Sequence, residues 1–286
     1  MRVLLCGESW VTHSLHIKGL DSFTTSSYVE GADYLRAVLG DDGIEVDYLP
    51  GHLVPARFPG SPDELAAYEA VILSDIGANS ILLAPQTFER SQPAPDRLAA
   101  VEQYVRAGGG LLMIGGYLSF AGIEGKARYH GTPVEDALPV LISAVDDRAE
   151  QPAGVVPTPE VPGHPVLRGV PVPWPALLGY NRVTPRPGAE VLVRCGSDPL
   201  VACWEYHAGR SAVFTSDCAP HWAPPEFLAW PGYRALWPNP LRWIPRLPLP
   251  LRRCACSYVG ARSPRRAAIA KSDSAGTGVR AALPRL

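Results

Sequence analysis

The run Leu-Leu-Met-Ile at residues 111–114, with glycines on both sides, constrains the fold of this chain more than any other stretch. Four apolar residues between turn signals are typical of a strand buried on both faces, as in the centre of a parallel sheet. Residues 96–106 before it have apolar side chains at helical spacing, and a glycine triplet ends that helix. In doubly wound folds, ligands bind at the carboxyl ends of such strands. We therefore expect Gly115, Gly116 and Tyr117 on the floor of a site, although these glycines also suit a plain turn.

The segments before this strand repeat the order of strand and helix. Apolar runs predict strands at residues 3–6, 43–49 and 70–73, and amphipathic patterns predict helices at 28–39 and 62–68. Residues 21–27 are expected to form a polar loop, from which Ser26 or Ser27 caps the first helix. This alternation predicts an α/β fold with a mostly parallel central sheet.

The second half of the chain has a different pattern. Residues 150–175 are rich in proline and are expected to be mostly irregular. Alternating segments then predict an antiparallel meander of three strands, at residues 189–195, 200–206 and 211–215. Residues 224–243 predict a closing helix, which its prolines disturb.

Composition limits the classes of protein to which the chain can belong. Hydrophobic residues make up 47% and charged residues 19% of 286 positions, enough for a sizeable core. Neither a run long enough to cross a membrane nor a secretory signal is present, so we expect a cytoplasmic protein without membrane partners. The six cysteines include no zinc-ribbon spacing and are expected to be reduced and mostly buried.

The formal charge of −2 hides an asymmetry along the chain. Residues 252–286 contain eight Arg or Lys and one Asp, a net charge of +7, so the rest of the chain carries −9. An acidic body argues against a surface that binds nucleic acid. Apolar periodicity also stops near residue 244. We therefore expect one domain over residues 1–244 and a basic, disordered tail over 245–286.

Polar residues follow four of the predicted strands. These positions are Glu8, Ser9, Trp10, Asp75, Tyr117, Asp217 and His221. If the strands are parallel, their ends meet at one rim and form a polar pocket for a small-molecule ligand. Asp217 paired with His221 is the predicted acid–base couple, since a carboxylate fixes the tautomer and raises the basicity of an imidazole. The alternative is that Glu8 and Asp75 cap helices while Asp217 and His221 bond inside the fold.

Three further possibilities stay open at this point. His13 and His16 could lie on one face of a helical turn and bind a divalent metal, although the predicted site includes no metal or cofactor. Cys218 could act as a nucleophile with His221 as its base, although a buried structural thiol is the commoner case. The segment 180–182, Tyr-Asn-Arg, could reach the pocket, where its arginine would hold an anionic group.

The chain resembles the putative glutamine amidotransferase family of the class I glutamine amidotransferase-like superfamily over roughly residues 1–244. Six segments carry the resemblance: Gly-Glu-Ser-Trp-Val-Thr-His at 7–13, Asp-Ser-Phe-Thr-Thr-Ser-Ser at 21–27, Ser-Asp-Ile-Gly-Ala at 74–78, Gly-Gly-Tyr-Leu-Ser at 115–119, Leu-Gly-Tyr-Asn-Arg at 178–182, and Ser-Asp-Cys-Ala-Pro-His-Trp at 216–222. The last segment is also similar to the end of ThuA-like proteins. The resemblance implies a flavodoxin-like three-layer sandwich.

The resemblance also shows where this chain departs from true class I amidotransferases. Those enzymes carry a Cys on the turn after a central strand, and here Tyr117 stands in its place. A phenol is a poor substitute for a thiol, and no His-x-Glu pair follows the last strand. We therefore expect catalysis by Asp217, His221 and Tyr117 on a small polar or sugar-like substrate bound by Glu8, Ser9, Trp10, Asp75, Gly115 and Gly116. The alternative is a non-catalytic binding or assembly module. The sequence leaves open whether the chain forms a homo-oligomer.

Overall fold

The computed structural model describes residues 1–246 of the chain. Its strands are β1 (Arg2–Gly7), β2 (Ser9–Lys18), β3 (Asp21–Glu30), β4 (Glu45–Leu49), β5 (Ala70–Ser74), β6 (Gly110–Ile114), β7 (Val140–Leu141), β8 (Arg148–Val155), β9 (Thr158–Pro159), β10 (Leu177–Asn181), β11 (Thr184–Pro185), β12 (Glu190–Cys195), β13 (Asp198–Tyr206) and β14 (Gly209–Phe214). Its helices are α1 (Asp33–Asp41), α2 (Val54–Arg57), α3 (Pro62–Leu65), α4 (Ala78–Leu82), α5 (Pro85–Phe88), α6 (Arg97–Arg106), α7 (Pro133–Ala137), α8 (Pro225–Leu228), α9 (Pro231–Leu236) and α10 (Pro238–Trp243).

Eight strands form the central sheet, in the order β4-β1-β5-β6-β14-β13-β12-β9. The pairs from β4 to β14 are parallel, and those from β14 to β9 are antiparallel. The predicted meander is confirmed as β12, β13 and β14, and β14 joins it to the parallel half by pairing with β6. The run at 111–114 is thus a central strand, with all of β6 buried.

Helices cover both faces of the sheet, because alternate residues of each buried strand point to opposite sides. One apolar core combines Leu5 and Leu112 with α1, α9 and α10, and the other combines Leu4 and Leu111 with α3, α4, α6 and α7. The predicted three-layer α/β sandwich is confirmed. None of the helices within residues 1–246 has the length and hydropathy that a bilayer crossing requires.

The prediction was wrong over residues 21–32. The polar loop at 21–27 and the start of the predicted helix belong to β3, which pairs with β2 as a long antiparallel hairpin. Helix α1 begins only at Asp33, and its N-cap, Ala32, makes no side-chain bond, so neither Ser26 nor Ser27 caps it. The predicted helix at 28–39 is confirmed only from residue 33 onward. Up to residue 30, pairing with β2 determines the conformation.

One other prediction needs correction. The predicted closing helix over 224–243 is three short helices, α8, α9 and α10, each with a proline in its first turn. Proline suits that position and terminates a preceding helix, which explains the division. The segment 150–175 is mostly irregular, as predicted, and its regular parts are most of β8, the short β9 and a 3-10 turn at Pro165–Leu167. The predicted tail, residues 245–286, lies outside the described residues apart from its first two.

Candidate functional site

Four parallel strands end at one rim of the sheet, and the chain after each strand delivers a polar side chain there. Glu8 follows β1, Asp75 follows β5, Tyr117 follows β6 and Asp217 follows β14. They enclose a cavity of about 460 Å³. Its walls are Glu8, Trp10, Asp75, Tyr117, Leu118, Ile123, Asp217, Pro220 and His221. The structure therefore brings together six of the residues that the sequence singled out, and their roles stay predictions.

The backbone is strained at two of these strand ends. Glu8 has φ +50° and Asp75 has φ +41°, the left-handed region that non-glycine residues rarely occupy. Gly7, before Glu8, also has positive φ, and a Cβ there would lie 2.0 Å from the carbonyl oxygen of Ser74. Backbone strain of this kind costs of order 1–3 kcal/mol per residue and is concentrated at functional sites. Its position at two cavity walls favours a functional interpretation of the rim.

The carboxyl group of Glu8 is almost completely buried. Its Oε2 accepts a hydrogen bond from Ser74 Oγ at 2.5 Å and contacts Cys218 Sγ at 3.7 Å. Burial raises the pKa of Glu8 well above its ordinary value, and the negative charges of Asp217 and Asp75 raise it further. The carboxyl of Glu8 therefore holds a proton more tightly than a free glutamate side chain does, which suits a proton donor at the cavity wall.

Asp75 faces the same cavity in a more polar setting. Its Oδ1 accepts from the backbone N–H of Leu118 at 2.6 Å, and its own N–H donates to Ser119 Oγ at 3.1 Å. Burial, followed by the charge of Asp217, raises the pKa of Asp75 to about 6. A carboxyl that titrates near neutrality can exchange protons with a substrate in either direction.

The side chains of Asp217 and His221 approach each other across one turn of chain. His221 Nδ1 lies 3.7 Å from Asp217 Oδ2, which is longer than a normal hydrogen bond. The carboxylate is buried and its Oδ1 accepts from the N–H of Ala219 at 3.0 Å, whereas the imidazole is about 40% exposed. Asp217 raises the pKa of His221 above its ordinary value. The pair thus offers an oriented, basic imidazole whose ring still reaches the cavity.

Tyr117 is fixed by contacts to its ring and to its hydroxyl. Its ring packs edge-on against His221, with centroids 4.3 Å apart, while its hydroxyl donates to Glu150 Oε1 at 3.1 Å. Trp222 Nε1 donates to the other oxygen of Glu150, and the guanidinium of Arg148 lies over the Tyr117 ring. Burial and Glu150 raise the pKa of the phenol. In this arrangement the aromatic ring orients His221, and the hydroxyl is bound to Glu150.

The two predicted glycines, Gly115 and Gly116, are buried next to Tyr117 and are not among the residues that line the cavity. A Cβ on Gly115 would be 2.2 Å from the carbonyl oxygen of Thr215, and one on Gly116 would be 2.6 Å from Asp75 Oδ1, so the packing admits only glycine. Asn181 bonds both the N–H and the C=O of Gly116, and its amide also donates to Asp147 Oδ1 at 2.8 Å. These contacts fix the turn on which Tyr117 stands.

Several residues suggested by the sequence lie elsewhere. Ser9 Oγ accepts from the N–H of Gly51 at 2.8 Å and does not line the cavity. Tyr180 and Arg182 line a separate cavity with Asp198. His13 and His16 are on strand β2, where an i, i+3 spacing points side chains to opposite faces, so the possibility that the two form a helical metal pair is removed.

Sequence reasoning missed some of the supporting residues. Ser74 ends β5 directly before Asp75, so the rule that found Asp75 could also have found Ser74. Glu150 and Asp147 come from β8 and the segment before it, within and beside the proline-rich segment, and no motif marks them. Their role depends on a fold that brings β8 beside β10, which local sequence does not encode.

Two groups of side chains have metal-ligand composition among the described residues. The first, Glu8, Asp217 and Cys218, is buried at the cavity wall, where the raised pKa of Glu8 disfavours the ionised carboxylate that a cation binds. The second, His164, Glu190 and Cys203, lies outside it. There His164 Nδ1 accepts from the N–H of Val166, so Nε2 carries the proton and has no lone pair for a metal.

Cys218 is fully buried next to Glu8. Burial raises the pKa of its thiol well above the ordinary value, and the charges of Glu8 and Asp217 act in the same direction. The nucleophile of a thiol enzyme is the thiolate, which this environment suppresses. The position of Cys218 therefore fits a structural thiol.

Comparison with known proteins gives both a family and solved structures of high similarity. The family described as Putative glutamine amidotransferase matches residues 2–246. The chain is also similar to the cytoplasmic proteins STM3548 and STM1381 of Salmonella typhimurium, each at 46% identity, with TM-scores of 0.84 and 0.83. Each alignment covers 86% of this chain and 100% of the other. No protein of curated function matches the sequence.

Proposed function

Because this chain belongs to the Putative glutamine amidotransferase family, we propose that it is an amidotransferase-like enzyme that works by acid–base catalysis without a cysteine nucleophile. The observation that carries the proposal is that four titratable side chains, Glu8, Asp75, Asp217 and His221, meet around one cavity. Burial raises the pKa of Glu8, and Asp217 raises the pKa of His221 above that of a free imidazole. Titratable groups with perturbed pKa values that share a cleft are typical of acid–base sites.

The turn after β6 supports the part of the proposal that concerns the nucleophile. A nucleophile elbow places its residue on a sharp, strained turn from a strand into a helix. Here the strained residues at the rim are Glu8 and Asp75, and Tyr117 has no left-handed backbone. The chain then runs into a loop and a 3-10 turn at Ile123–Gly125. A hydroxyl bound to Glu150, with its pKa raised, is also poorly suited to attack a substrate.

The walls of the cavity indicate the chemical class of the substrate. Three carboxyl groups disfavour an anion, because a second negative charge would have to be buried beside them. Trp10 and Tyr117 supply aromatic surface, and Leu118 and Ile123 supply apolar surface. A volume of about 460 Å³ is within the range of small-molecule sites. We therefore propose a neutral or cationic sugar-like substrate, acted on in the cytoplasm, where the similar Salmonella proteins are named as belonging.

The proposal is tested with a panel of monosaccharides, amino sugars and their simple glycosides. Thermal-shift measurements select the compounds that bind, and NMR follows their conversion by the wild-type chain. We expect His221→Ala to lower the turnover of a converted compound by about 10²–10⁴-fold, the usual contribution of a positioned base. His207→Ala is the matched control, since His207 is exposed at the β13–β14 turn and bonds to Arg106. Ammonia release from glutamine that disappears in Cys218→Ala would contradict the proposal.

A second function, binding without catalysis, is favoured by one observation. The two groups that could attack a substrate, the Tyr117 hydroxyl and the Cys218 thiol, are respectively bonded to Glu150 and buried. Under this alternative, compounds of the panel bind but none is converted, and His221→Ala changes only the dissociation constant. The same experiment therefore separates the two functions.

A further inference from the structure

Strands β2 and β3 form an arm, defined here as residues 9–30, that pairs with itself and not with the central sheet. Ten cross-strand pairs run from Ser9 opposite Glu30 to Lys18 opposite Asp21. Contacts with the rest of the described chain lie at the base, where the N–H of Gly51 donates to Ser9 and His52 packs edge-on against Tyr28. Beyond the base, the side chains of both strands are exposed. A two-stranded hairpin alone in water is marginally stable at best.

One face of the arm is apolar. Val11, Leu15, Ile17 and Tyr28 share it, and they are 50%, 65%, 69% and 45% exposed. His13 and Ser26 lie on the same face and hydrogen-bond to each other at 2.7 Å. The opposite face has polar residues in its middle, where Thr12 and Ser14 stand opposite Ser27 and Thr25, and apolar residues toward its ends, where Trp10, Phe23 and Val29 are 40%, 48% and 41% exposed. The face with Leu15 and Ile17 carries the two most exposed of these large apolar side chains, and the described chain leaves it uncovered.

The charges of the arm indicate what covers it. Residues 9–17 and 22–29 contain no Asp, Glu, Lys or Arg, and Lys18 and Asp21 stand opposite each other at the tip. A nucleic acid or a charged peptide would find no complementary charge there. Glu30, opposite Ser9 at the base, is the one acidic residue of the arm on its apolar face. A two-fold interface brings the same patch of both subunits together, so the uncharged part of that face, within residues 11–17 and 22–28, meets its copy without repulsion. We propose that the apolar face of the arm packs against a second copy of this chain, which returns the same contact.

The arm supplies part of the area that such a contact needs. Ten residues of strand span roughly 33 Å, and a two-stranded ribbon is roughly 10 Å wide, so one face covers about 300 Å². Two arms that meet face to face therefore bury about 600 Å² in total, about half of the lower end of the range for specific interfaces, so the proposed contact also includes surface beside each arm. Both long edges of the arm also carry unpaired backbone groups, with no proline between residues 9 and 30 to block further pairing. A symmetric dimer would protect that surface from uncontrolled association.

The test is analytical ultracentrifugation of the full chain, which measures the monomer–dimer equilibrium. Protein concentrations of about 1 to 100 µM bracket typical dimer dissociation constants. We expect a dimer for the wild type, and at least a 100-fold weaker dimer for Leu15→Asp/Ile17→Asp, because the change buries charge at the two-fold contact. Thr12→Asp/Ser14→Asp is the matched control, with the same two added carboxylates on the opposite face of the same strand. It should keep the wild-type dissociation constant within about threefold, as expected for exposed sites.

A measurement without substitutions protects the test against a variant that does not fold. In wild-type chain, hydrogen exchange at residues 11–17 and 22–28 should be slower above the dimer dissociation constant than after dilution, because the arm is covered only in the dimer. A wild-type chain that is monomeric at 100 µM overturns the proposal. So does exchange in the arm that is independent of concentration, or equal loss of the dimer in both double variants.

Discussion

The rim of the sheet and the arm each contain residues that the sequence marked as candidates for chemistry. The structure brings the residues of the rim together and keeps those of the arm apart. At the rim, Glu8 and His221 are 213 positions apart and line one cavity. On the arm, His13 and His16 are three positions apart and point to opposite faces. The comparison teaches that parallel strand ends predict proximity better than short sequence spacing does, because spacing acts only through the element that carries it.

The largest expected effect tests whether the rim is a rigid, buried structure. Asp147 is buried and accepts from the N–H groups of Ala121 and Gly122 and from the amide of Asn181, which holds the Gly116 turn. Asp147→Ala leaves these three donors without partners, each at about 1–3 kcal/mol, so we expect a loss of about 3–5 kcal/mol in the free energy of unfolding. Urea denaturation measures it.

The neighbouring residue provides the control. Asp146 is partly exposed and bonds to Arg148 and the N–H of Glu124. Water replaces such contacts, so Asp146→Ala should cost about 1 kcal/mol or less. Equal losses of unfolding free energy in the two variants would mean that the hydrogen bonds of Asp147 are no more buried than those of Asp146. The rim would then not be the rigid, buried structure that distinguishes it from the arm.

The next effect concerns the pH dependence of stability. The folded chain raises the pKa of Asp75 from 3.8 to about 6 and that of Glu8 well above 4.5, so it holds protons that the unfolded chain releases. The stability contributed by each group is complete below its unfolded pKa and is lost as pH rises through its folded pKa. For Asp75 that loss falls between about pH 4 and 6. One pKa unit corresponds to about 1.4 kcal/mol of folding free energy. Because Asp75 lines a cavity and is partly solvated, we expect a loss of about 2 kcal/mol, less than the full shift would give.

Two isosteric substitutions measure this contribution. Asp75→Asn should flatten the free energy of unfolding between pH 4.5 and 6.5, and Glu8→Gln should flatten the decline at higher pH, because neither amide titrates. Urea midpoints at half-unit intervals give the curve. A free energy of unfolding that rises through this pH interval in the wild type would show that Glu8 and Asp75 are ionised in the folded chain. That result would contradict the role of Glu8 as a proton donor.

Much of the rim could be predicted from the sequence, whereas the arm could not, and the reason is physical. Buried strands such as β5 and β6 must be apolar on both faces, which leaves a recognisable run of residues and a defined end. Residues 21–27 have the composition of a loop, and they form a strand only because β2 lies opposite them. Glu150 and Asp147 were missed for a related reason, since the pairing of β8 with β10 brings them to the rim.

The smallest expected effect sharpens the comparison from the side of the arm. Leu15 on β2 and Leu112 on β6 are the same residue type in strands, but Leu15 is 65% exposed and Leu112 is 2% exposed. In dilute, monomeric protein, Leu15→Ala should change the free energy of unfolding by less than about 0.5 kcal/mol, as surface substitutions do. Leu112→Ala should cost about 2–5 kcal/mol through the cavity that it leaves. A loss above 1 kcal/mol for Leu15→Ala in dilute protein would show that the arm packs against the rest of its own chain. The apolar face would then need no second copy to cover it, and the rim and the arm would no longer differ in burial.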